Sequence, residues 1–206
     1  MSIEISTNSI HLWFVPTDQL NNTKLLTSYK QFLSNAELAK HARFVFEKDR
    51  KQYLITRTLV RSVLSKYIDQ VSPRDWEFIL NDYGKPEVAS ELLSFPLKFN
   101  LSHTPNMIVL AITNGYEIGV DVESLERDIA TDELAKYAFS DSEYKELKQV
   151  PFELFKERFF DFWTFKEAYI KACGMGLSIP LESFSLSFSA PKKVSISFEE
   201  PRNDDP

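Results

Sequence analysis

The feature that most constrains the fold is a match of the chain to itself at an offset of 106 residues. Ser34 and Glu37 align with Ser140 and Glu143, and each Ser-x-x-Glu pair has the form of a capping box at the start of a helix. Further identities at this offset follow without a gap: Thr58 with Thr164, Phe78 with Phe184, and Leu80 with Leu186. Because structural signals recur in the same order, the sequence predicts an internal duplication that produces two pseudo-symmetric lobes.

A turn marks the predicted boundary between the lobes. Asn114-Gly115, a dipeptide typical of type I′ hairpins, separates strand-like runs at 107–113 and 116–123. We therefore expect an N-terminal lobe at 1–114 and a C-terminal lobe at 115–206. The first lobe is predicted to contain strands near 10–15, 76–80, 97–101 and 107–113, with helices within 34–67. The second lobe is predicted to contain a strand at 118–123, helices near 141–149 and 153–173, strands near 183–189 and 194–198, and a frayed tail at 201–206. The fold class is α/β (α+β).

Composition excludes several classes of protein. A hydrophobic fraction of 43% can fill a core, no apolar run approaches the ~18 residues of a membrane span, and the N-terminus does not resemble a signal peptide. Cys173 is the single cysteine, which excludes an intramolecular disulfide and favours a cytoplasmic address. The net charge of −6 argues against nucleic acid as a partner.

One segment has the opposite charge. Residues 36–66 carry eight Lys or Arg residues against three acids, a balance of +5. Such a segment is either a solvated helix face or a surface that binds phosphates, and the sequence supports both interpretations equally.

Three acidic side chains form the most informative constellation. Asp121 and Glu123 alternate on one face of the predicted strand at 118–123, and Glu167 lies in the predicted helix. Together they have the character of an oxygen cage for Mg²⁺, which is bound through a few carboxylates and substrate phosphates. At the offset of 106 these residues correspond to Val15, Thr17 and Arg61, so we expect one metal site per chain.

Other polar residues have both a structural and a functional interpretation. Lys171 is either a surface partner of Glu167, worth about 0.3–0.5 kcal/mol, or a cation for a phosphate oxygen. Ser102 and His103, predicted on a loop before the strand at 107–113, are structural or contact a diphosphate. Their adjacency disfavours nucleophilic catalysis. Lys85 lies in a predicted turn, where it could present a cation, and Gly174 is expected to cap a helix.

Four motifs in order resemble one family. They are Gly-Lys-Pro at 84–86, Phe-Asn-Leu-Ser-His at 99–103, Ile-Gly-Val-Asp-Val-Glu at 118–123, and Trp-x-x-Lys-Glu-Ala-x-x-Lys at 163–171. Together they resemble the Sfp-like 4′-phosphopantetheinyl transferases. That resemblance implies a monomeric, two-lobed α/β protein that moves the 4′-phosphopantetheine arm of coenzyme A onto a serine of an apo acyl or peptidyl carrier protein and releases 3′,5′-ADP.

The resemblance also implies roles for individual residues. Asp121, Glu123 and Glu167 would hold Mg²⁺ against the diphosphate, Glu167 would also activate the carrier serine, and Lys171 would stabilise the departing nucleotide. The expected contacts with coenzyme A are adenosine at Lys85 and Pro86, phosphates at Ser102 and His103, and the 3′-phosphate at Arg43 with Lys40.

Two other functions remain open from the sequence. One is a metal-dependent phosphate-ester hydrolase, and the other is a non-catalytic module that binds carrier proteins. A possible partner surface lies at 151–162, where five phenylalanines occur. Most are expected in the core, with one or two exposed to a carrier helix and Lys156 and Arg158 meeting its acids.

Overall fold

The computed structural model of the chain describes residues 2–89, 91, 93–190 and 193–198. The predicted tail at 201–206 lies outside these residues. No helix in the described ranges is both long and apolar enough to cross a membrane.

Six α-helices are present in the described part of the chain. They are α1 (Thr23–Tyr29), α2 (Asn35–Arg43), α3 (Glu47–Tyr67), α4 (Asp132–Ala138), α5 (Asp141–Leu147) and α6 (Phe152–Cys173). The capping boxes predicted at Ser34 and Ser140 are confirmed, because each hydroxyl and its partner glutamate exchange hydrogen bonds with the other residue's backbone N–H. Gly174 follows α6 with φ of 71°, as predicted for a helix cap.

The strands of the described residues form three antiparallel sheets. The strands are β1 (Ile10–Pro16), β2 (Phe78–Leu80), β3 (Pro86–Val88), β4 (Leu97–His103), β5 (Met107–Asn114), β6 (Phe184–Ala190) and β7 (Lys193–Phe198). The sheet orders are β1-β5-β4, β2-β3 and β6-β7. Ser102 and His103 therefore end β4, and their prediction as loop residues is wrong. The strand extends because Ser102 and His103 pair with Val109 and Ile108 of β5.

Each lobe has its own hydrophobic core. In the first, Val60 and Leu64 of α3 pack against Phe99 and Leu110 of the large sheet. In the second, phenylalanines on α6 pack with Phe184 of β6. The two sets of buried residues have no member in common, as expected for two lobes that each enclose a core.

The strand predicted at 118–123 is absent, because this segment takes part in no sheet of the described residues. The hairpin predicted at Asn114-Gly115 is also wrong. β5 is the central strand of its sheet and uses both edges to pair with β1 and β4, so the chain after Gly115 cannot pair with it. Gly115, with φ of 92°, turns the chain away from the sheet instead.

Candidate active site

Segment 118–123 lies between β4 and α6. On one side, the Val120 N–H donates to Asn100 Oδ1 at 3.0 Å. On the other side, Gly119 packs so closely on α6 that an added Cβ would lie 1.8 Å from the Ala168 carbonyl oxygen. Only glycine fits this approach, so β4 and α6 together fix the position of the acidic residues on the segment.

Asp121 is at the centre of a hydrogen-bonded cluster. Its Oδ1 accepts from Lys171 Nζ at 2.5 Å and from Ser102 Oγ at 2.8 Å, and Lys171 Nζ also donates to Ser102 Oγ at 3.1 Å. The Asp121 side chain is 5% exposed. These contacts bring together three of the predicted site residues, which come from β4, segment 118–123 and α6.

Glu123 is held by two residues to which the sequence analysis gave no role. Arg127 Nη1 donates to both carboxylate oxygens, at 2.6 Å and 2.5 Å, and Trp163 Nε1 donates to Oε1 at 3.2 Å. The spacing of four residues between Glu123 and Arg127 was a visible signal, although the segment joining them is not helical.

Glu167 lies on α6 in an unfavourable electrostatic environment. Burial raises the pKa of Glu167, and the charges of Asp121 and Glu123 raise this pKa further, whereas Lys171 and Arg127 act in the opposite direction. Three carboxylates are therefore close enough to repel one another, and added positive charge at this place would relieve the repulsion.

One buried atom indicates that the residues fit a metal ion. Asp121 Oδ2 is buried and has no hydrogen-bond partner, which is costly for a carboxylate oxygen. Carboxylate oxygens are suitable ligands for Mg²⁺. Within the described ranges no three His, Cys, Asp or Glu side chains already converge as a metal site; instead Lys171 and Arg127 contact Asp121 and Glu123.

Two adjoining cavities contain eight of the predicted site residues. A cavity of about 420 Å³ is lined by Ser102, His103, Asp121, Glu123, Glu167 and Lys171. A cavity of about 240 Å³ is lined by Lys85 and Pro86 and shares Leu101 and Lys171 with the first. The ammonium of Lys85 is already bound, because it donates to Glu117 and to the carbonyl of Ala172 at 2.7 Å and 2.9 Å.

The remaining two predicted residues lie apart from this group. Lys40 and Arg43 of α2 line a different hollow of about 590 Å³. Some of the basic residues of segment 36–66 make structural contacts. Arg57 and Arg61 pair with Glu37, and Arg50 donates to the Phe44 carbonyl. Part of the positive charge of this segment is therefore used in contacts within the protein.

Comparison with known proteins identifies the family. A family model described as "4'-phosphopantetheinyl transferase superfamily" matches residues 117–205, and one described as "4'-phosphopantetheinyl transferase, N-terminal" matches residues 21–114. The chain belongs to the 4′-phosphopantetheinyl transferase superfamily, and the predicted enzyme class is confirmed. The predicted fold class, α/β (α+β) with two duplicated lobes, is also confirmed.

Two relatives of known name agree with this assignment. The 4'-phosphopantetheinyl transferase HetI of Nostoc sp. is 34% identical over 177 residues, 86% of this chain and 73% of HetI. The 4'-phosphopantetheinyl transferase Sfp of Bacillus subtilis is 33% identical over 182 residues, 88% of this chain and 76% of Sfp. A solved holo-(acyl-carrier-protein) synthase from Bacillus anthracis, in complex with CoA (3′,5′-ADP), has 17% identity and a TM-score of 0.42, covering 51% of this chain and 93% of its own.

Proposed function

We propose that this enzyme transfers the 4′-phosphopantetheine arm of coenzyme A to a serine of an apo acyl or peptidyl carrier protein, in a Mg²⁺-dependent reaction that releases 3′,5′-ADP. This proposal depends on one observation: three carboxylates, Lys171, Ser102 and His103 all line the same cavity. Carboxylates for a hard cation next to a lysine ammonium are what binding of a diphosphate requires.

The transfer is a displacement at phosphorus. The serine oxygen forms a bond to the phosphorus that bears the pantetheine arm, and the bond from this phosphorus to the bridging oxygen breaks. The bond's electron pair leaves with 3′,5′-ADP. Lys171, between Asp121 and Ser102, is positioned to stabilise negative charge on the departing phosphate. Glu167 is our candidate to accept the serine proton, because its carboxylate lines the same cavity as Lys171 and Ser102.

The metal assignment concerns the three carboxylates. Asp121, Glu123 and Glu167 would hold Mg²⁺, which when bound neutralises charge on the diphosphate and polarises its phosphoryl oxygens. The unpartnered Asp121 Oδ2 supports this role. Ser102 and His103 would contact the phosphates, and Lys85 and Pro86 would line the adenosine site through the adjoining cavity.

The 3′-phosphate of coenzyme A is assigned to Arg43 with Lys40. Both residues line the hollow on α2. Arg43→Ala should weaken binding of coenzyme A about tenfold more than binding of dephospho-coenzyme A, since a charge-assisted contact is lost only with the former. Equal weakening for both ligands would contradict the assignment.

The carrier is proposed to dock at the start of α6. Phe152 is 91% exposed and Leu154 is 50% exposed, whereas Phe159 is fully buried. Lys156 and Arg158 lie about one helical turn after Phe152 and Leu154. Charge reversal at both should raise the apparent KM for carrier and leave that for coenzyme A unchanged; two unchanged constants would place the docking surface elsewhere.

The proposed roles of the two lobes follow the boundary of the duplication. We assign contacts with coenzyme A to residues 1–114, and the carboxylates and catalytic helix to residues 115–206. The enzyme is proposed to act as a monomer, because the two cavities that would hold the metal and coenzyme A adjoin each other within the fold of one chain. It is proposed to act in the cytoplasm, because a single cysteine suits a reducing compartment.

The decisive experiment measures the product. An apo carrier protein incubated with coenzyme A and Mg²⁺ should gain the mass of one phosphopantetheine group. Asp121→Ala should lower the rate by roughly a hundredfold or more, because a charged ligand at a phosphate site is lost, and excess chelator should act similarly. A near-normal rate in either case would overturn the metal assignment. Cleavage of coenzyme A without a gain in carrier mass would instead indicate a hydrolase.

A further inference from the structure

The turn between β2 and β3 contacts the end of the helix that carries Lys171. Within the turn, Asn81 Oδ1 accepts from the N–H groups of Tyr83 and Lys85, at 3.0 Å and 2.9 Å. The same side chain extends to the other lobe, where Nδ2 donates to the Gly174 carbonyl at 2.8 Å. One amide thus organises the turn through its oxygen and binds α6 through its nitrogen.

A second side chain of the turn contacts the same helix end. Lys85 Nζ donates to the Ala172 carbonyl at 2.9 Å. The last carbonyls of an α-helix have no partner within the helix, so Asn81 and Lys85 supply donors that the helix end lacks. A cation near a helix C-terminus is also favoured by the helix dipole.

The packing at Gly174 leaves little freedom. A Cβ added to this residue would lie 2.9 Å from Asn81 Nδ2 and 3.0 Å from Lys85 Cδ. The helix end and the turn are therefore in close contact, and a displacement of one requires a displacement of the other. Lys171 lies in this last turn of α6, three residues before Gly174.

We propose that Asn81 is a positioning residue for Lys171: its amide holds the C-terminal turn of α6 so that the Lys171 ammonium stays between Asp121 and Ser102. The effect on catalysis rests on the role of Lys171 in the proposed function. Because the turn also lines the cavity assigned to adenosine, the contact links that cavity to the reacting phosphate.

Asn81→Asp isolates the bond to the helix. The substitution is nearly isosteric and keeps an oxygen for the amides of Tyr83 and Lys85, but it replaces the donor to Gly174 with an acceptor. The matched control is Asp82→Asn, which changes a neighbouring exposed residue of the same turn that lines neither cavity.

Three measurements test the proposal. In Asn81→Asp, kcat should fall about tenfold while KM for coenzyme A changes less than about twofold. Amide exchange in a peptide covering 170–176 should accelerate, and an amine-reactive reagent should label Lys171 faster. Asp82→Asn should match the wild type in all three measurements.

Two results would overturn the proposal. Unchanged exchange and labelling in folded Asn81→Asp would mean that the amide does not hold the helix end. Faster exchange with an unchanged kcat would mean that this bond does not position Lys171 for the reaction. An inactive wild type would refute the proposed function alone, because Lys171 labelling would still decide whether Asn81 positions it.

Discussion

In each lobe, the glutamate that caps a short helix pairs with a cation on the long helix that follows, but the cation differs between the lobes. In the first lobe, Glu37 closes the capping box of α2 and accepts from Arg61 Nε on α3 at 2.6 Å. Arg61 Nη1 also donates to the carbonyls of Pro73, Arg74 and Trp76, at 2.9 to 3.0 Å. Arg57 adds a second cation to Glu37.

In the second lobe a lysine takes this role. Glu143 closes the capping box of α5 and pairs with Lys166 of α6 at 2.8 Å, with both side chains 0% exposed. Lys166 Nζ donates to the carbonyls of Leu181 and Phe184. Burial lowers the pKa of Lys166, although Glu143 opposes this effect.

The difference between the lobes lies in one helical position. At the offset of 106, Arg61 corresponds to Glu167 rather than to Lys166. Neighbouring helix positions differ in direction by about 100°, so Lys166 can be buried in the core while Glu167 lines the cavity. Both halves of the chain retain the ion pair that holds their helices together, whereas only the second presents an acid to the site.

The largest expected effect comes from removing the buried cation of the second lobe. Lys166→Met leaves Glu143 buried without a charge partner, which should lower the free energy of unfolding by about 3–5 kcal/mol. Arg61→Met should cost less, because Arg57 remains beside Glu37. Urea unfolding of both variants measures the difference.

A double variant serves as the control. Lys166→Met combined with Glu143→Met should recover much of the loss, since an apolar pair can replace a buried ion pair. Equal losses for the two single variants would show that Arg57 does not compensate, and the two devices would then be equivalent.

The next prediction concerns Arg61 and Glu167, which correspond at the offset of 106. It separates an effect on the transfer rate from an effect on stability. Glu167→Gln should lower the transfer rate by roughly a hundredfold, about 2.7 kcal/mol. It should not lower the unfolding midpoint, because a neutral amide removes the repulsion from Asp121 and Glu123. Arg61→Lys should lower the unfolding midpoint through lost carbonyl contacts and leave kcat near the wild-type value. If both variants affect both quantities alike, the proposed separation of roles is wrong.

The smallest effect should come from the two capping serines. Ser34→Ala removes a side-chain cap and should lower the free energy of unfolding by about 1 kcal/mol. Ser140→Ala should cost more, because the Ser140 hydroxyl also accepts a hydrogen bond from Ser185 Oγ at 2.8 Å. Thermal unfolding of the single variants and of the double variant measures both costs and tests whether they are additive. An equal or larger cost at Ser34 would contradict the prediction.

Much of the fold was predictable because its signals are local. The capping boxes and the C-cap at Gly174 depend on residues within one helical turn, and the strands of the first lobe follow the apolar pattern. The strand predicted at 118–123 failed because pairing depends on a free sheet edge, and β1 and β4 occupy both edges of β5. No local pattern reveals that occupancy.

Part of the cavity lining could also be predicted. Motif spacing selected eight of the residues that line the two cavities, and their functional roles stay predictions. Motif spacing did not predict the contact of Arg127 with Glu123, because the segment that joins them is not helical and their spacing alone does not bring the side chains together. It also did not reveal that Lys85 binds the carbonyl of Ala172, because that contact depends on how distant segments pack. The contact of Asn81 with Gly174 joins residues that are 93 positions apart, so the sequence could not reveal it either.

Segment 118–123 has a consequence for the order of folding. Its ordered position depends on the Asn100 side chain from one lobe and on the surface of α6 beside Gly119 from the other. Contacts between segments far apart in sequence form only after the chain entropy of closing long loops has been overcome. The carboxylates should therefore reach their final geometry in a late step, after each lobe has formed its own core. During refolding, recovery of catalytic activity should lag behind recovery of helix content.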